Sequence, residues 1–202
     1  MYKDTEKIIT LNKEDIEDII ALTPMQEGML FHYLKDPASD LYFEQLCLEI
    51  SGKIDGKYFE QAWNSVVENN EMLRTIFRWE KMEKPTQAIL KKHYIKVRHY
   101  DLSNRGGQEK SKPVEEIKTK DRVEKFDLHD VPFRVTLITL GKTRHVIIIS
   151  NHHILYDGWS NGIILEEFFN AYHDLCHHKI TKKPDKTRFK EYMRWRQSNY
   201  PV

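Results

Sequence analysis

The chain has 202 residues, 40% of them hydrophobic and 31% charged, enough for one ordinary domain with a real core or for one piece of a larger one. Its 32 basic and 31 acidic residues leave a net charge of +1, which weighs against a nucleic-acid binder, and eight glycines and seven prolines exclude collagen-like or low-complexity chains. Cys47 and Cys176 make no disulfide framework, MYKDTEKIIT has no apolar signal, and the run Val146 to Ile149 is far below the roughly 20 residues of a membrane span; a soluble cytoplasmic protein is expected.

In chain order, Asn12 can cap a short helix through KEDIEDII, whose acids suit a positive helix end. Thr23 and Pro24 open a second helix, PMQEGMLFHYL, because proline at the first helical position loses no hydrogen bond; Asp36-Pro37 stops it. Tyr42 to Ile50 alternates in part and reads as a strand. Asp55 can cap a helix over about 56–70, with Phe59, Ala62, Trp63, Val66 and Val67 at helical spacing. Leu73 to Trp79, Gln87 to Leu90 and Tyr94 to His99 are strand candidates, and 103–113 is a surface loop. After Pro113 follows a charged amphipathic helix, read as a solvated face. Phe133 to Leu140 and His145 to Ser150 are strands, the second apolar on successive residues and so buried on both faces. Ser160 can cap a helix bearing Ile163, Ile164, Phe168 and Tyr172, and a last helix carries Phe189, Tyr192, Met193 and Trp195. Strands and helices alternate, which predicts an α/β or α+β fold with a mixed sheet flanked by helices.

The chemistry-bearing segment is Asn151-His152-His153-Ile154-Leu155-Tyr156-Asp157-Gly158, where a buried strand ends. Adjacent histidines leaving a strand point to opposite sides, so one can face a cavity while the other faces the core. A structural reading, with satisfied core histidines and an Asp-Gly turn, stands beside the catalytic one. A metal site is the weaker alternative: neighbouring strand residues diverge and no third ligand recurs at a usual spacing. Neither a glycine-rich phosphate loop, a GxSxG elbow nor a CxxC pair occurs.

At His152 to Gly158 the sequence resembles the HHxxxDG motif of the condensation domains of nonribosomal peptide synthetases, enzymes of peptide antibiotic biosynthesis. Leu22 to His32 is similar to the family's opening motif, and Glu71 to Phe77 to its ExLRTxF motif, although Asn69-Asn70 stands where Arg-His is usual. Phe189 to Gln197 resembles a fourth motif, with Phe189 and Glu191 in place of its Tyr and Asp. These motifs all belong to the first of the family's two lobes. The resemblance therefore implies a chloramphenicol-acetyltransferase-like N-terminal lobe over 21–202, half of a domain cut where the lobes join, preceded by an N-terminal segment over 1–20.

The family joins two thioesters carried on the phosphopantetheine of peptidyl carrier proteins, so no directly bound cofactor and no metal is expected. The resemblance gives His153 the catalytic place. It is either a base that takes the amine's proton or a group that orients an amine already partly neutral. His152, Asp157, Gly158 and Arg74 are given structural places: Asp157 in a buried salt bridge to Arg74, and Gly158 for close backbone approach. Residues 1–20 resemble a docking helix for an upstream synthetase subunit. The expected partners are carrier proteins, the second lobe and that subunit, with no nucleic acid and no membrane. The isolated lobe is expected to be inactive; a non-catalytic docking module and a coenzyme A-dependent acyltransferase fragment are the rival readings.

Overall fold

The computed structural model describes residues 12–104, 110–180 and 183–200. Two sheets form. A four-stranded sheet has the order β2 (Phe43–Ser51), β7 (Arg144–His152), β6 (Phe133–Thr139) and β5 (Arg98–Asp101), all antiparallel except the β5–β6 pair. A three-stranded antiparallel sheet has the order β1 (Ile16–Ala21), β4 (Thr86–Leu90) and β3 (Thr75–Arg78). The helices are α1 (Pro24–Lys35), α2 (Gly56–Asn69), α3 (Ser111–Val123), α4 (Ser160–Cys176) and α5 (Phe189–Asn199). A mixed four-stranded sheet and an antiparallel three-stranded one, flanked by helices, confirm the α/β class expected.

The unbroken apolar run of β7 is explained by its two faces. Ile147 and Ile149 face the main core, with Phe59 and Trp63 of α2 and Phe168 of α4. Val146 and Ile148 face the opposite way, into a cluster that Val114 and Ile117 of α3 cover. The Trp63 and Phe168 rings stack at 4.5 Å and fill the contact between α2 and α4. Burying such side chains contributes about 1.5–3 kcal/mol each, which fixes the central strand that ends at the histidines.

Helix starts follow the capping chemistry read from the sequence. Asp55 accepts from the Lys57 and Tyr58 amides, and Thr23 and Gln26 form a reciprocal capping box at α1. Asp36 closes α1.

Five expectations are corrected. The helix from Asn12 is a 3-10 turn, Lys13–Asp15, followed by β1; Asn12 makes no side-chain cap. Ile16, Ile19 and Ile20 are β-branched and gain more by pairing with β4, where Ile20 is buried with Ile89 and Met193. Residues 16–20 are thus part of this sheet and not of a docking helix, while 1–11 lie outside the described residues. Leu73 and Arg74 belong to a 3-10 turn, Glu71–Arg74, ahead of β3. Ile95 and Val97 are buried without strand pairing: their amides donate to the Asn64 and Glu60 side chains instead, so β5 starts only at Arg98. Ser160 is the first residue of α4 and not its cap; its amide and hydroxyl both donate to Asp157 Oδ1 at 3.3 Å.

Candidate active site

His152 ends β7, opposite Phe43 of β2, and His153 follows with its amide donating to the Tyr42 carbonyl at 2.8 Å. The two rings diverge as strand geometry requires. His152 is 5% exposed, with the Tyr33 ring edge-on at 6.1 Å and the Tyr42 ring at 6.0 Å. Its Nδ1 accepts the Ile154 amide proton at 3.1 Å, which places the ring's own proton on Nε2. Burial, with His153 alongside, lowers its pKa to about 4, so the imidazole is neutral at neutral pH.

His153 is the reachable histidine, its side chain 30% exposed. Its Nδ1 is shut off from solvent, 2.7 Å from Glu44 Oε1 on β2. The exposed part of the ring therefore lies on its other atoms, of which Nε2 is the only polar one. Glu44 is held in turn: its Oε2 accepts from Asn151 Nδ2 at 3.3 Å, and Asn151 Oδ1 accepts from the Tyr156 hydroxyl at 3.0 Å. Burial first, then the charge of Glu44, pushes the Tyr156 phenol upward, so it remains a donor. The Tyr42 ring lies parallel to His153, 6.4 Å away with 8° between planes. Tyr42 has φ 66°, a left-handed backbone that costs a bulky residue on the order of 1–2 kcal/mol, and this aims its carbonyl at the His153 amide.

The opening motif reaches the same loop. Gln26, besides capping α1, donates to the Ile154 carbonyl at 3.1 Å and exchanges hydrogen bonds with Gln87 of β4. One side chain thereby ties α1, the three-stranded sheet and the residue after His153 together.

The salt bridge expected between Asp157 and Arg74 is absent among the described residues. Asp157 is exposed and serves the start of α4, whereas Arg74 is buried and pairs with Glu17 of β1 at 2.8 Å, with a second bond to the Leu90 carbonyl of β4. The physical reason is β1: the strand that replaces the expected helix runs beside β4 and brings Glu17 to the guanidinium. Glu71 of the same motif accepts the Phe189 amide at 2.9 Å and Arg188 Nε at 3.0 Å, joining the second and fourth motifs. Gly158 is exposed, and a Cβ built there meets nothing within 4 Å.

Reasoning from the sequence missed Glu44, Tyr42 and Glu17, and gave no role to Asn151 and Tyr156 although both lie in the chemistry-bearing segment. The one available signal was a carboxylate, Glu44, set inside an otherwise half-apolar strand. Among the described residues no group of three or more His, Cys, Asp or Glu is placed to hold a metal ion, and no helix is long and apolar enough to cross a membrane. A cleft of about 790 Å³ is lined by Gln26, Arg74, Gln87, Leu155, Arg188 and Tyr192 among others, and His153 is not in its lining.

Comparison with known proteins follows this geometry. The first condensation domain of the calcium-dependent antibiotic synthetase, solved with a substrate analogue, superposes with a TM-score of 0.83 at 21% identity, over 93% of this chain and 46% of that one. The starter condensation domain of rhizomide synthetase gives 0.82 at 18% identity, over 92% and 46%. A polypeptide of the linear gramicidin synthase of Brevibacillus parabrevis is 41% identical over 163 residues, 80% of this chain and 3% of that protein. Surfactin synthase subunit 3 of Bacillus subtilis (strain 168) is 32% identical over 185 residues, 91% of this chain and 14% of that protein. The chain thus spans about half of the solved domains and a small part of the synthetases. The sequence model of the family described as Condensation domain matches residues 16–201, and the chain belongs to that family.

Proposed function

We propose that this chain is the N-terminal half of a nonribosomal peptide synthetase condensation domain. It supplies one wall of a site that forms amide bonds between thioesters held on carrier proteins. The observation that carries the reading is His153: a partly exposed imidazole at the end of a rigid strand, with Nδ1 facing Glu44 and Nε2 left for a substrate.

In the reaction the acceptor's α-amine attacks the donor acyl carbon. A C–N bond forms and the C–S bond breaks; the amine loses a proton and the departing thiolate of the phosphopantetheine arm gains one. His153 Nε2 can orient the amine, whose free form titrates near pH 8, and take its proton. A thioester is already activated, so the site needs neither a metal nor a resident cofactor. His152, Asp157, Arg74 and Gly158 stay in the reading as supports: His152 packs beneath the loop, Asp157 sets the start of α4, Arg74 joins β1 to β4, and Gly158 leaves the loop uncrowded. Alone, the lobe is expected to be inactive. Carrier proteins and the second lobe are its partners, and docking to an upstream subunit falls to the residues before β1.

The test is to supply the second lobe in trans, with loaded donor and acceptor carrier proteins. Peptide formation by this pair, abolished in a folded His153→Ala variant, is expected. Near-normal peptide formation by His153→Ala would overturn the role of His153. Transfer from acyl-coenzyme A alone would favour a soluble-donor acyltransferase, and no transfer by the assembled pair a docking module.

A further inference from the structure

We infer that Glu44 is the positioning residue of His153, holding the proton on Nδ1 so that Nε2 faces the substrate as the acceptor. The inference rests on the proposed function for its consequence, and on geometry for its content. A neutral imidazole has one N–H and one lone pair, and which nitrogen carries the proton is set by what the other parts of the ring meet. At 2.7 Å, a bare lone pair on Nδ1 would lie beside the negative charge of a carboxylate, which is repulsive; a proton there makes the same close contact attractive. The approach lacks the alignment of a hydrogen bond, yet no other polar group in the described structure serves that buried nitrogen. Glu44 is therefore the group that decides the tautomer.

The carboxylate is itself fixed. Glu44 pairs in register with Asn151, the residue before the histidine pair, and Asn151 Nδ2 holds Oε2 while Tyr156 holds Asn151. Tyr156, Asn151 and His153 all come from the motif loop and the strand end that leads into it, and only Glu44 comes from β2. The motif's geometry is completed by a residue far away in the sequence. Charged or titratable groups facing the His153 ring are Glu44 from β2 and the phenol-bearing ring of Tyr42, with neutral His152 behind.

The tautomer is read directly from the imidazole nitrogen shifts of the 15N-histidine-labelled 202-residue chain at alkaline pH, His153 being assigned by its loss in His153→Asn. Wild type should show the Nδ1–H form. Glu44→Val, a strand-favouring change without an acceptor, should lose that bias; Glu44→Gln, which keeps an acceptor oxygen, should retain it. Should Glu44→Val fail to fold, Glu44→Lys serves, since an ammonium beside Nδ1 should invert the tautomer. With the second lobe supplied, Glu44→Val should lower kcat at least about tenfold with KM unchanged, and Glu44→Gln should recover most of it. A folded Glu44→Val or Glu44→Lys chain with the wild-type tautomer overturns the inference. Absence of peptide formation by wild type would instead count against the functional reading, and leaves the nitrogen shifts to decide the role of Glu44.

Discussion

Protonating His152 requires a charge among the Tyr33 and Tyr42 rings, and burial holds its pKa down to about 4, against about 6.5 when unfolded. In the window between those values the unfolded chain binds the proton and the folded chain does not. Stability is therefore complete above about pH 6.5 and falls as pH drops towards 4, by roughly 3 kcal/mol from this group. His93 and His145, also lowered chiefly by burial, act in the same direction. Denaturation midpoints measured across this range should slope, and His152→Asn should flatten the slope in part; an unaltered slope would refute a buried neutral His152. A second residue pair separates the expected scaffold from the observed one. Glu17→Ala strips the ion-pair partner from nearly buried Arg74 and should cost about 3 kcal/mol, near the lower end for a broken buried pair because Glu17 is itself part-exposed. Asp157→Ala removes only an exposed contact at the start of α4, about 1 kcal/mol. Urea midpoints for the two variants decide it; an Asp157→Ala loss as large as that of Glu17→Ala would restore Asp157 to the scaffold.

At the scale of elements, the motifs act as fasteners between pieces remote in sequence. Glu71 takes the first amide of α5 and Arg188 beside it, Lys190 donates to Asp18 of β1 at 2.8 Å, and Met193 completes the apolar contact with Ile20 and Ile89. Glu71→Ala should release the start of α5: amide exchange at 189–192 should quicken tenfold or more while the β7 amides keep their protection, a loss of about 1.5–3 kcal/mol for charge-assisted bonds. Equal exchange in both places would show that α5 is held by packing alone. This level also shows what a sequence can disclose. α2 was legible because Asp55 and an apolar stripe at helical spacing say the same thing. β7 was legible because only a strand covered on both faces carries such an apolar run. β1 was not: acids after Asn12 imitate a helix start, and Ile16, Ile19 and Ile20 do not alternate, so only pairing with β4 makes it a strand. The partner of Arg74 was misassigned for the same reason, and the contact of Glu44 with His153 was hidden because it exists only through β2–β7 register.

For the molecule as a whole, the near-zero net charge offers no broad field to steer a partner. Large apolar side chains stay exposed beside the motif: Trp159 at 90% and Ile163 at 57%, at the start of α4. Neither contributes to the core of this half, so a charged substitution should leave its stability within about 0.5 kcal/mol. If, as proposed, a second lobe closes over His153, the loop that carries them lies in its path, and a buried tryptophan at such a contact is commonly worth about 2 kcal/mol or more. Trp159→Asp should accordingly leave the melting curve unchanged and weaken binding of the separately supplied second lobe about thirtyfold, with peptide formation falling in step and recovering at high lobe concentration. Unchanged binding would move the lobe contact away from α4, towards exposed Met25 and Phe31 of α1. A lowered melting temperature would instead make Trp159 part of this half's own fold.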